Sequence, residues 1–293
     1  MLEGNALLAL AAAVLWGGGD FSGGMGVKQA GGSMRGALRV VLTSHAASFC
    51  VLVAIALFRG DRFPQGHPLM WGIAAGVMGG LSLTGFYVAL ARGAMGVSAA
   101  ISGLLAAAIP AGVSIAQEGW PGWLRISGFV VAGAAIWMIA AGDNPEAKPV
   151  SRETMWLAIL SGAGFGAYFA ALKFAGAAGV VWPMATARMG SLTTCSLLLL
   201  VVTLTGARST EAAGWLPRRA VLWALSTAML DTSGNMLFIA ATRAGRLDVA
   251  AVLASLYPAS TILLAAWTLH ERPTRRQGLG MLVAVAAVIM ITL

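Results

Sequence analysis

The chain has 293 residues, of which 58% are hydrophobic and 10% charged, and its mean hydropathy is +0.82. A soluble domain carries about 25% charged residues, so the composition excludes an ordinary water-soluble globular protein and favours one embedded in lipid. The net charge of +8 comes from basic residues that stand singly or in pairs between apolar stretches. Such charges set membrane topology and contact anionic headgroups, and they do not form a nucleic-acid-binding face.

Ten apolar stretches approach the length of about 20 residues that a helix needs to cross a bilayer. They cover residues 6–26, 37–58, 69–91, 96–117, 123–142, 154–174, 180–205, 219–242, 247–269 and 275–293. The connections between them are short, and none is long enough to form a soluble domain. The sequence therefore predicts an all-α polytopic membrane protein with ten transmembrane helices.

The first stretch carries an acidic residue at the end of a glycine run. Asp20 follows Gly17, Gly18 and Gly19, and glycines of this kind let neighbouring helix backbones approach closely. A carboxylate at bilayer depth is costly unless it faces a cavity or a partner. Two interpretations of Asp20 stay open: a cavity carboxylate that binds an ammonium group or a proton, and a packing residue satisfied by a neighbouring backbone.

Four aromatic residues lie inside stretches instead of at their ends: Trp16, Tyr87, Tyr168 and Tyr257. Trp and Tyr at span ends usually anchor a protein at the membrane interface. Interior ones can line an apolar cavity that tolerates a cation, and plain packing is the alternative for each.

Two prolines fall inside predicted spans. Pro110 is expected to interrupt the fourth stretch, and Pro258, directly after Tyr257, the ninth. A proline within a helix removes a hydrogen bond and kinks the backbone. Pro258 is therefore a candidate hinge or binding edge.

The eighth stretch carries the most concentrated polar group. Asp231 and Asn235 are four residues apart and lie on one helical face, with Thr232 and Ser233 adding hydroxyl groups. This pattern favours a cavity-lining role for Asp231 and Asn235.

Metal-binding patterns are missing from the sequence. His45 stands alone in the second stretch and is interpreted first as a hydrogen-bonded packing residue, while Cys50 and Cys195 lie in separate apolar stretches. Neither a histidine pair nor a carboxylate cluster accompanies them. We expect no metal and no cofactor.

A long segment of the chain occurs twice, at residues 87–139 and 238–291. Arg92 matches Arg243 at a spacing of 243 − 92 = 151, and Gly128 matches Gly280 at 280 − 128 = 152. The repeat predicts two five-helix halves, residues 1–145 and 146–293. Because five is odd, the second half would enter the membrane from the opposite side, which gives an inverted repeat with both termini on the same side.

Paired motifs carry a resemblance to a known family. They are W-G in the first stretch, A-x-x-R opening the second, Y/F-x-A-x-x-R closing the third, and a glutamate near a proline between the fourth and fifth. The residues are Trp16-Gly17, Arg39, Arg92 and Glu118 in the first half, and Arg188, Arg243, Glu271 and Pro273 in the second. On them the chain resembles, over nearly its whole length, the drug/metabolite transporter superfamily and within it the ten-helix EamA family. Phe165 departs from the pattern by replacing the tryptophan, and Glu118 by lying one position early relative to Glu271.

The resemblance implies a helix bundle around a central cavity and alternating-access transport of small organic molecules in a bacterial inner membrane. Amino-acid exporters of the YddG type are the first subgroup to compare. Few fixed charges at mid-depth favour neutral or zwitterionic cargo over phosphorylated compounds. Efflux of lipophilic cations, held by Asp20 or Asp231 and aromatic residues, is the alternative, and a channel or scaffold is a further class.

No enzyme is predicted, since H-E-x-x-H, G-x-S-x-G and a closely spaced acid pair are all missing from the sequence. No ATP-binding G-x-x-x-x-G-K motif occurs either, which favours secondary transport. The expected partners are a small-molecule substrate, first an amino acid, and membrane lipid. Nucleic acid is not expected, and the chain is expected to act as a monomer.

Two groups of site residues follow. The predicted substrate-binding residues are Trp16, Asp20, Tyr87, Tyr168, Asp231, Asn235, Tyr257 and Pro258. The predicted gating residues are Arg39, Arg92, Glu118, Arg188, Arg243 and Glu271. In the gating hypothesis each glutamate pairs with the arginines of the other half, Glu271 on one face and Glu118 on the other. The alternative is that the arginines extend toward the interface and the glutamates cap short turns.

Membrane orientation stays open. Basic loop residues are more numerous on the face opposite the termini, which favours external termini, whereas the family resemblance implies cytoplasmic ones. The sequence thus predicts termini on the same side without assigning that side.

Overall fold

The computed structural model describes residues 4–91, 95–140, 151–205, 215–268 and 274–293. Over these ranges the chain forms eleven α-helices and one short 3-10 turn, and no strand. The helices are α1 (Gly4–Gln29), α2 (Met34–Arg59), α3 (His67–Ala91), α4 (Met95–Glu118), α5 (Trp123–Ala140), α6 (Arg152–Ala175), α7 (Val181–Thr205), α8 (Arg218–Ala244), α9 (Leu247–Ala254), α10 (Tyr257–Thr268) and α11 (Arg275–Thr292). The predicted all-α class is confirmed.

Eight helical stretches in the described part of the chain are long and apolar enough to cross a membrane, and α9 together with α10 supplies one of them. The α5 helix has a shorter apolar length. The α8 helix is long but is not among the eight, because Asp231 and Asn235 lower its hydropathy. The outward faces carry large apolar side chains, such as Val130 on α5 and Leu282 on α11, which are 69% and 70% exposed. These features indicate a multi-pass membrane protein.

Local sequence signals set several helix ends. Ser33 caps α2 by accepting a hydrogen bond from the Gly36 amide at 3.0 Å. The same helix ends at Gly60, whose φ of 69° lies in the left-handed region that glycine adopts without strain. Thr274 and Gln277 form a reciprocal capping box at the start of α11. These caps fix where the spans begin and end.

Helices of the first half pack mainly on helices of the second. The α1 helix packs on α8 and on α9 with α10, and α6 correspondingly packs on α3 and α4. The α2 helix contacts α7 and α8, and α3 contacts α7. The contacts of α1 with α8 to α10 thus correspond to those of α6 with α3 and α4. The core of the molecule lies between the helices of residues 4–140 and those of residues 151–293.

Repeat-related glycines form reciprocal contacts between α5 and α11. A Cβ added to Gly128 would lie 2.8 Å from Cγ1 of Ile291, and one added to Gly280 would lie 2.9 Å from Cγ1 of Ile139. Gly128 is near the start of α5 and Ile139 near its end, so the two helices run antiparallel. Glycine permits this close backbone approach.

A second reciprocal pair lies at the centre of the bundle. Gly17 of α1 contacts Ser260 of α10 so closely that an added Cβ would overlap the serine side chain. Gly166 of α6 faces Ile109 of α4, where an added Cβ would lie 2.7 Å from the isoleucine Cβ. The small residues of the first span thus serve close helix packing.

The ninth span is broken and the fourth is not. Between α9 and α10, Ser255 and Leu256 form a turn, and Tyr257 and Pro258 open the next helix. The expected interruption at Pro110 is wrong, because α4 continues from Met95 to Glu118 through that proline. A proline removes only one ladder hydrogen bond, and neighbouring turns can maintain the helix.

Candidate functional site: a cavity between the two halves

A cavity with two joined lobes lies between the halves. Both lobes are lined by Leu83, Phe165, Tyr168 and Asp231. The charged lobe is also lined by His45, Arg188 and Ser191. The aromatic lobe is also lined by Trp16, Asp20, Ala106, Phe169, Asn235 and Tyr257. Each lobe draws residues from both halves of the chain.

Glycines of α3 form one wall of the charged lobe. A Cβ added to Gly80 would lie 2.8 Å from Oγ of Ser191, and one added to Gly79 would lie 2.9 Å from the Tyr168 ring. Gly76 touches the Ala187 carbonyl group still more closely. Only glycine allows α3 to approach α7 in this way, and the approach brings α3 against the turn that carries Arg188.

Arg188 is the centre of a buried polar network. Its Nη2 donates to Oδ2 of Asp231 at 2.5 Å and to Oγ1 of Thr232 at 2.9 Å. Its Nη1 lies 2.7 Å from Nε2 of His45, and Nδ1 of His45 lies 2.5 Å from Oγ of Ser191. Because a guanidinium only donates, Nε2 accepts and Nδ1 carries the proton, which makes His45 neutral and a donor to Ser191.

One donor of this network has no partner among the described residues. Nε of Arg188 forms no hydrogen bond with any of them, and the side chain is only 4% exposed. Nε and Nη2 form the edge of a guanidinium that can bind both oxygens of a carboxylate. Asp231 uses only the Nη2 position, so the edge is half filled.

Asp231 and Asn235 lie on one face of α8, as their spacing predicts, but their side chains do not bond to each other. Nδ2 of Asn235 donates to the backbone carbonyl group of Asp231 at 2.8 Å. Oδ1 of Asn235 is buried without a partner in the part of the chain that the structure describes. The Asp231 carboxylate is thereby left to Arg188, and the Asn235 oxygen is an unused acceptor in the aromatic lobe.

The aromatic lobe is built on a ring stack. Trp16 stacks on Phe169 with ring centroids 4.8 Å apart, and both rings contact Phe238 at 5.5 and 5.0 Å. The edge of the Trp16 ring lies against Gly234, where an added Cβ would be 2.6 Å from Cδ1. Nε1 of Trp16 is buried, and no described residue accepts a hydrogen bond from it. The lobe thus has rigid aromatic walls and an unused donor.

Asp20 lines the aromatic lobe together with Asp231. None of the residues that the structure describes forms an ion pair or hydrogen bond with the Asp20 side chain. The packing interpretation required a neighbouring backbone partner, and no such contact occurs among them. Asp20 is therefore an uncompensated carboxylate in the cavity.

The structure brings six of the eight predicted substrate-binding residues to the cavity: Trp16, Asp20, Tyr168, Asp231, Asn235 and Tyr257. Tyr87 lies away from it, 2% exposed, with its hydroxyl group against Gly23. Pro258 is buried beside Tyr257 at the start of α10. Substrate binding by these residues stays a prediction.

The partners expected in the gating hypothesis are wrong for Glu118. Lys173 of α6 forms an ion pair with Glu118, and Ser114 donates to Oε2 of the same carboxylate at 2.8 Å. Arg243 instead donates to the carbonyl oxygen of Gly176, and Arg188 lies in the cavity. The lysine displaces the expected arginines because α6 packs directly on α4.

The other gating residues lie elsewhere. The guanidinium carbon of Arg39 is 6.0 Å from the centroid of the Trp215 ring. Arg92, Glu271 and the motif residue Pro273 lie outside the described residues. The gating role of this group stays a prediction.

An additional charged cluster reinforces the end of α4. Nη1 and Nη2 of Arg246 donate to the carbonyl groups of Glu118 and Gly119 at 3.2 and 2.8 Å. The same guanidinium pairs with the fully buried Asp248 at 2.8 Å. Together with the Lys173–Glu118 pair, these contacts form what we call the end cluster, which joins the two halves on one face.

Sequence analysis missed several cavity residues. Phe165 stands out in the sequence only as a departure from the W-G motif. Phe169 and Ser191 belong to no motif, and His45 fits a packing role. Arg188 was assigned to gating. Among the described residues, no group of three or more His, Cys, Asp and Glu side chains is placed to hold a metal ion.

Comparison with known proteins finds similar solved structures and a family match. A solved crystal structure superposes with a TM-score of 0.74 at 16% sequence identity, covering 100% of this chain and 99% of the other. At that identity the likeness shows the fold alone. A comparison with curated proteins gives no significant match. Residues 152–293 match the EamA-like transporter family, which supports the resemblance to the drug/metabolite transporter superfamily over that part of the chain.

Proposed function

We propose that the protein is a secondary transporter that exports small organic metabolites, amino acids first among them, by alternating access through the central cavity. The observation that carries this proposal is the cavity itself, where Arg188, Asp231 and Asp20 place both signs of charge between two halves of an apolar bundle. Ionisable groups at bilayer depth are expensive and typical of substrate pathways. The bacterial inner membrane is the proposed location, with the chain acting as a monomer.

We further propose that residues 1–145 and 146–293 are two inverted halves that rock around the cavity. The antiparallel packing of α5 and α11 supports this proposal, since these are the last helices of the two halves. The reciprocal contacts of Gly128 and Gly280 support it as well. In this arrangement both termini lie on the same side of the membrane.

The end cluster is the proposed closed side of the cavity. Lys173, Glu118, Arg246 and Asp248 tie α4 and α6 to the turn between α8 and α9. Rocking of the halves would have to break these contacts to open that face. This cluster replaces the arginine–glutamate pairs of the gating hypothesis on the Glu118 face.

Zwitterionic cargo fits the charges of the site. Arg188 is the one cation among the described residues that line either lobe, and a phosphorylated compound would require several. The aromatic lobe accommodates an apolar side chain. An amino acid combines these features.

Counterflow in proteoliposomes tests the proposal. Purified protein would be reconstituted with an internal panel of unlabelled amino acids, and exchange with labelled amino acids would be measured. We expect saturable, trans-stimulated exchange of at least one apolar or aromatic amino acid. Protein-dependent flux without saturation would indicate a channel, and the lack of any flux would contradict the transporter proposal.

Efflux of lipophilic cations is the second candidate, and Asp20 is the observation that favours it. An uncompensated carboxylate among aromatic rings is suited to an organic ammonium group. Under this candidate, a quaternary ammonium compound would exchange in the same proteoliposomes, and amino acids would not compete with it.

A further inference from the structure

We infer that Arg188 binds the carboxylate of the substrate, and that the Asp231 carboxylate occupies this place in the empty protein and turns to the substrate ammonium group on loading. The inference rests on the proposed function, namely that the cargo is an amino acid. It assigns Arg188 to substrate recognition instead of gating.

One edge of the Arg188 guanidinium has only one of its two donors engaged. Nη1 of Arg188 is engaged by His45, and Nη2 by Asp231 and Thr232, while Nε has no partner. A buried donor without an acceptor is costly. A structural ion pair satisfies its donors, whereas a binding site keeps one for its ligand. A substrate carboxylate on Nε and Nη2 would satisfy both donors of this edge.

Asp231 lies where the two lobes meet. Its carboxylate lines the charged lobe beside Arg188 and also the aromatic lobe. The backbone contact from Asn235 leaves this side chain free to change its rotamer without breaking the α8 helix. Asp231 can therefore release Arg188 and remain in the cavity.

Charge balance makes the exchange favourable for a zwitterion. In the empty site one cation faces one anion across 2.5 Å. In the loaded site Arg188 faces the substrate carboxylate and Asp231 faces the substrate ammonium group, so that neither member of this pair is left without a counter-charge. A compound with only one of the two groups would leave a buried charge without compensation, which is strongly unfavourable.

In this arrangement the side chain of the substrate lies in the aromatic lobe. The ammonium group at Asp231 places the α-carbon at the junction of the lobes, and the space beyond is lined by Trp16, Phe169 and Tyr257. These rings would contact an apolar or aromatic side chain. The site therefore selects apolar amino acids over their decarboxylated amines.

The test uses the double variant Arg188→Gln/Asp231→Asn, which removes both charges together and leaves neither partner alone. Phenylalanine and its decarboxylated amine, phenethylamine, are the probes in the proteoliposome assay. The control variant is Arg59→Gln/Asp61→Asn, which removes an Arg–Asp pair at 3.2 Å whose arginine side chain is 61% exposed. Size-exclusion profiles and thermal unfolding in detergent would establish that both variants fold.

We expect wild-type protein and the control to prefer phenylalanine. In the double variant the apparent affinity for phenylalanine should fall about 10- to 100-fold, the range for losing a hydrogen-bonded charge contact, while that for phenethylamine stays within about threefold. Equal losses for both probes, or no loss for either, would show that the pair is structural and would overturn the inference while leaving the transporter proposal intact. Wild-type protein that exchanges no amino acid would overturn both.

A second measurement is independent of the double variant. If Asp231 holds the place of the substrate carboxylate, Asp231→Asn alone should weaken amino-acid exchange yet permit binding of a simple carboxylate such as phenylpropionate, since the arginine edge is then vacant. Phenylpropionate inhibition that is no stronger in Asp231→Asn than in wild-type protein would contradict the proposed exchange of partners.

Discussion

The two lobes of the cavity differ in how far their polar side chains are compensated by hydrogen bonds and opposite charges. In the charged lobe, Arg188, Asp231 and His45 compensate one another through hydrogen bonds of 2.5 to 2.7 Å. In the aromatic lobe, Asp20 has no described partner, and Nε1 of Trp16 and Oδ1 of Asn235 are buried without hydrogen bonds to the described residues. The charges of the first lobe compensate one another and leave only Nε of Arg188 without a described acceptor, whereas the polar groups of the second lobe are mostly unused.

The difference implies that charge removal will have opposite effects in the two lobes. Removing one member of a compensated set exposes its partner, which costs folding stability. Removing an uncompensated group relieves a penalty that the fold already carries. A group retained at a cost to stability is expected to serve binding. Removing such a group from the aromatic lobe should therefore weaken transport without lowering the stability of the protein.

The largest effect is expected from Arg188→Ala, which leaves the partly buried Asp231 without a cation. Loss of one partner of a buried ion pair costs about 3–5 kcal/mol. The variant should therefore unfold in detergent at a markedly lower temperature or accumulate poorly. Adding Asp231→Asn should restore most of the loss. If the double variant were no more stable than Arg188→Ala, the two side chains would not be energetically coupled.

Gly234→Ala is expected to have the next largest effect, in the aromatic lobe. The added Cβ would lie 2.6 Å from Cδ1 of Trp16, so the Trp16–Phe169 stack must shift at a cost of about 1–3 kcal/mol. Thermal unfolding would report the loss. Gly112→Ala is the matched control in α4, since an added Cβ there meets nothing within 4 Å; it should be neutral or stabilising. Equal behaviour of both variants would contradict the tight packing assigned to this wall.

Asp20→Asn should then distinguish the lobes most directly. Because Asp20 has no described cationic partner, this variant should be as stable as wild-type protein or more so, while exchange of substrates bearing an ammonium group falls about tenfold, as expected for losing one charged hydrogen bond. Unfolding temperature and exchange rate would be measured on the same preparation. A stability loss as large as that of Arg188→Ala would indicate a compensating partner and remove the contrast between the lobes.

Sequence patterns predicted the all-helical membrane class, because membrane spans depend on hydropathy and length. The polar face of α8, with Asp231 and Asn235, followed from their i, i+4 spacing. The interruption of the ninth span beside Pro258 was also predicted, whereas the continuity of α4 through Pro110 was not. Whether a proline breaks a helix depends on what neighbouring helices supply to the freed carbonyl group, and that is a tertiary property.

Partner choice could be predicted least. The sequence motifs place Arg39 and Arg188 at equivalent positions, yet Arg188 lies in the cavity and Arg39 lies near Trp215. The glycine wall of α3, which brings α7 close, decides that difference. Likewise Lys173 takes Glu118 because α6 packs on α4, a contact between distant parts of the chain that no local spacing encodes.

The smallest effect is expected from Trp16→Phe, which keeps an aromatic ring for the stack but removes the unused Nε1 donor. Deleting a buried donor that has no acceptor relieves its desolvation cost and offsets the packing lost with the smaller ring. Stability should therefore change by less than about 1 kcal/mol. If the donor serves the substrate, exchange of amino acids should fall a few-fold while the unfolding temperature stays constant. A fall in stability without a change in exchange would instead assign Trp16 to packing alone, and the aromatic lobe would then bind its cargo through Asp20 and Asn235.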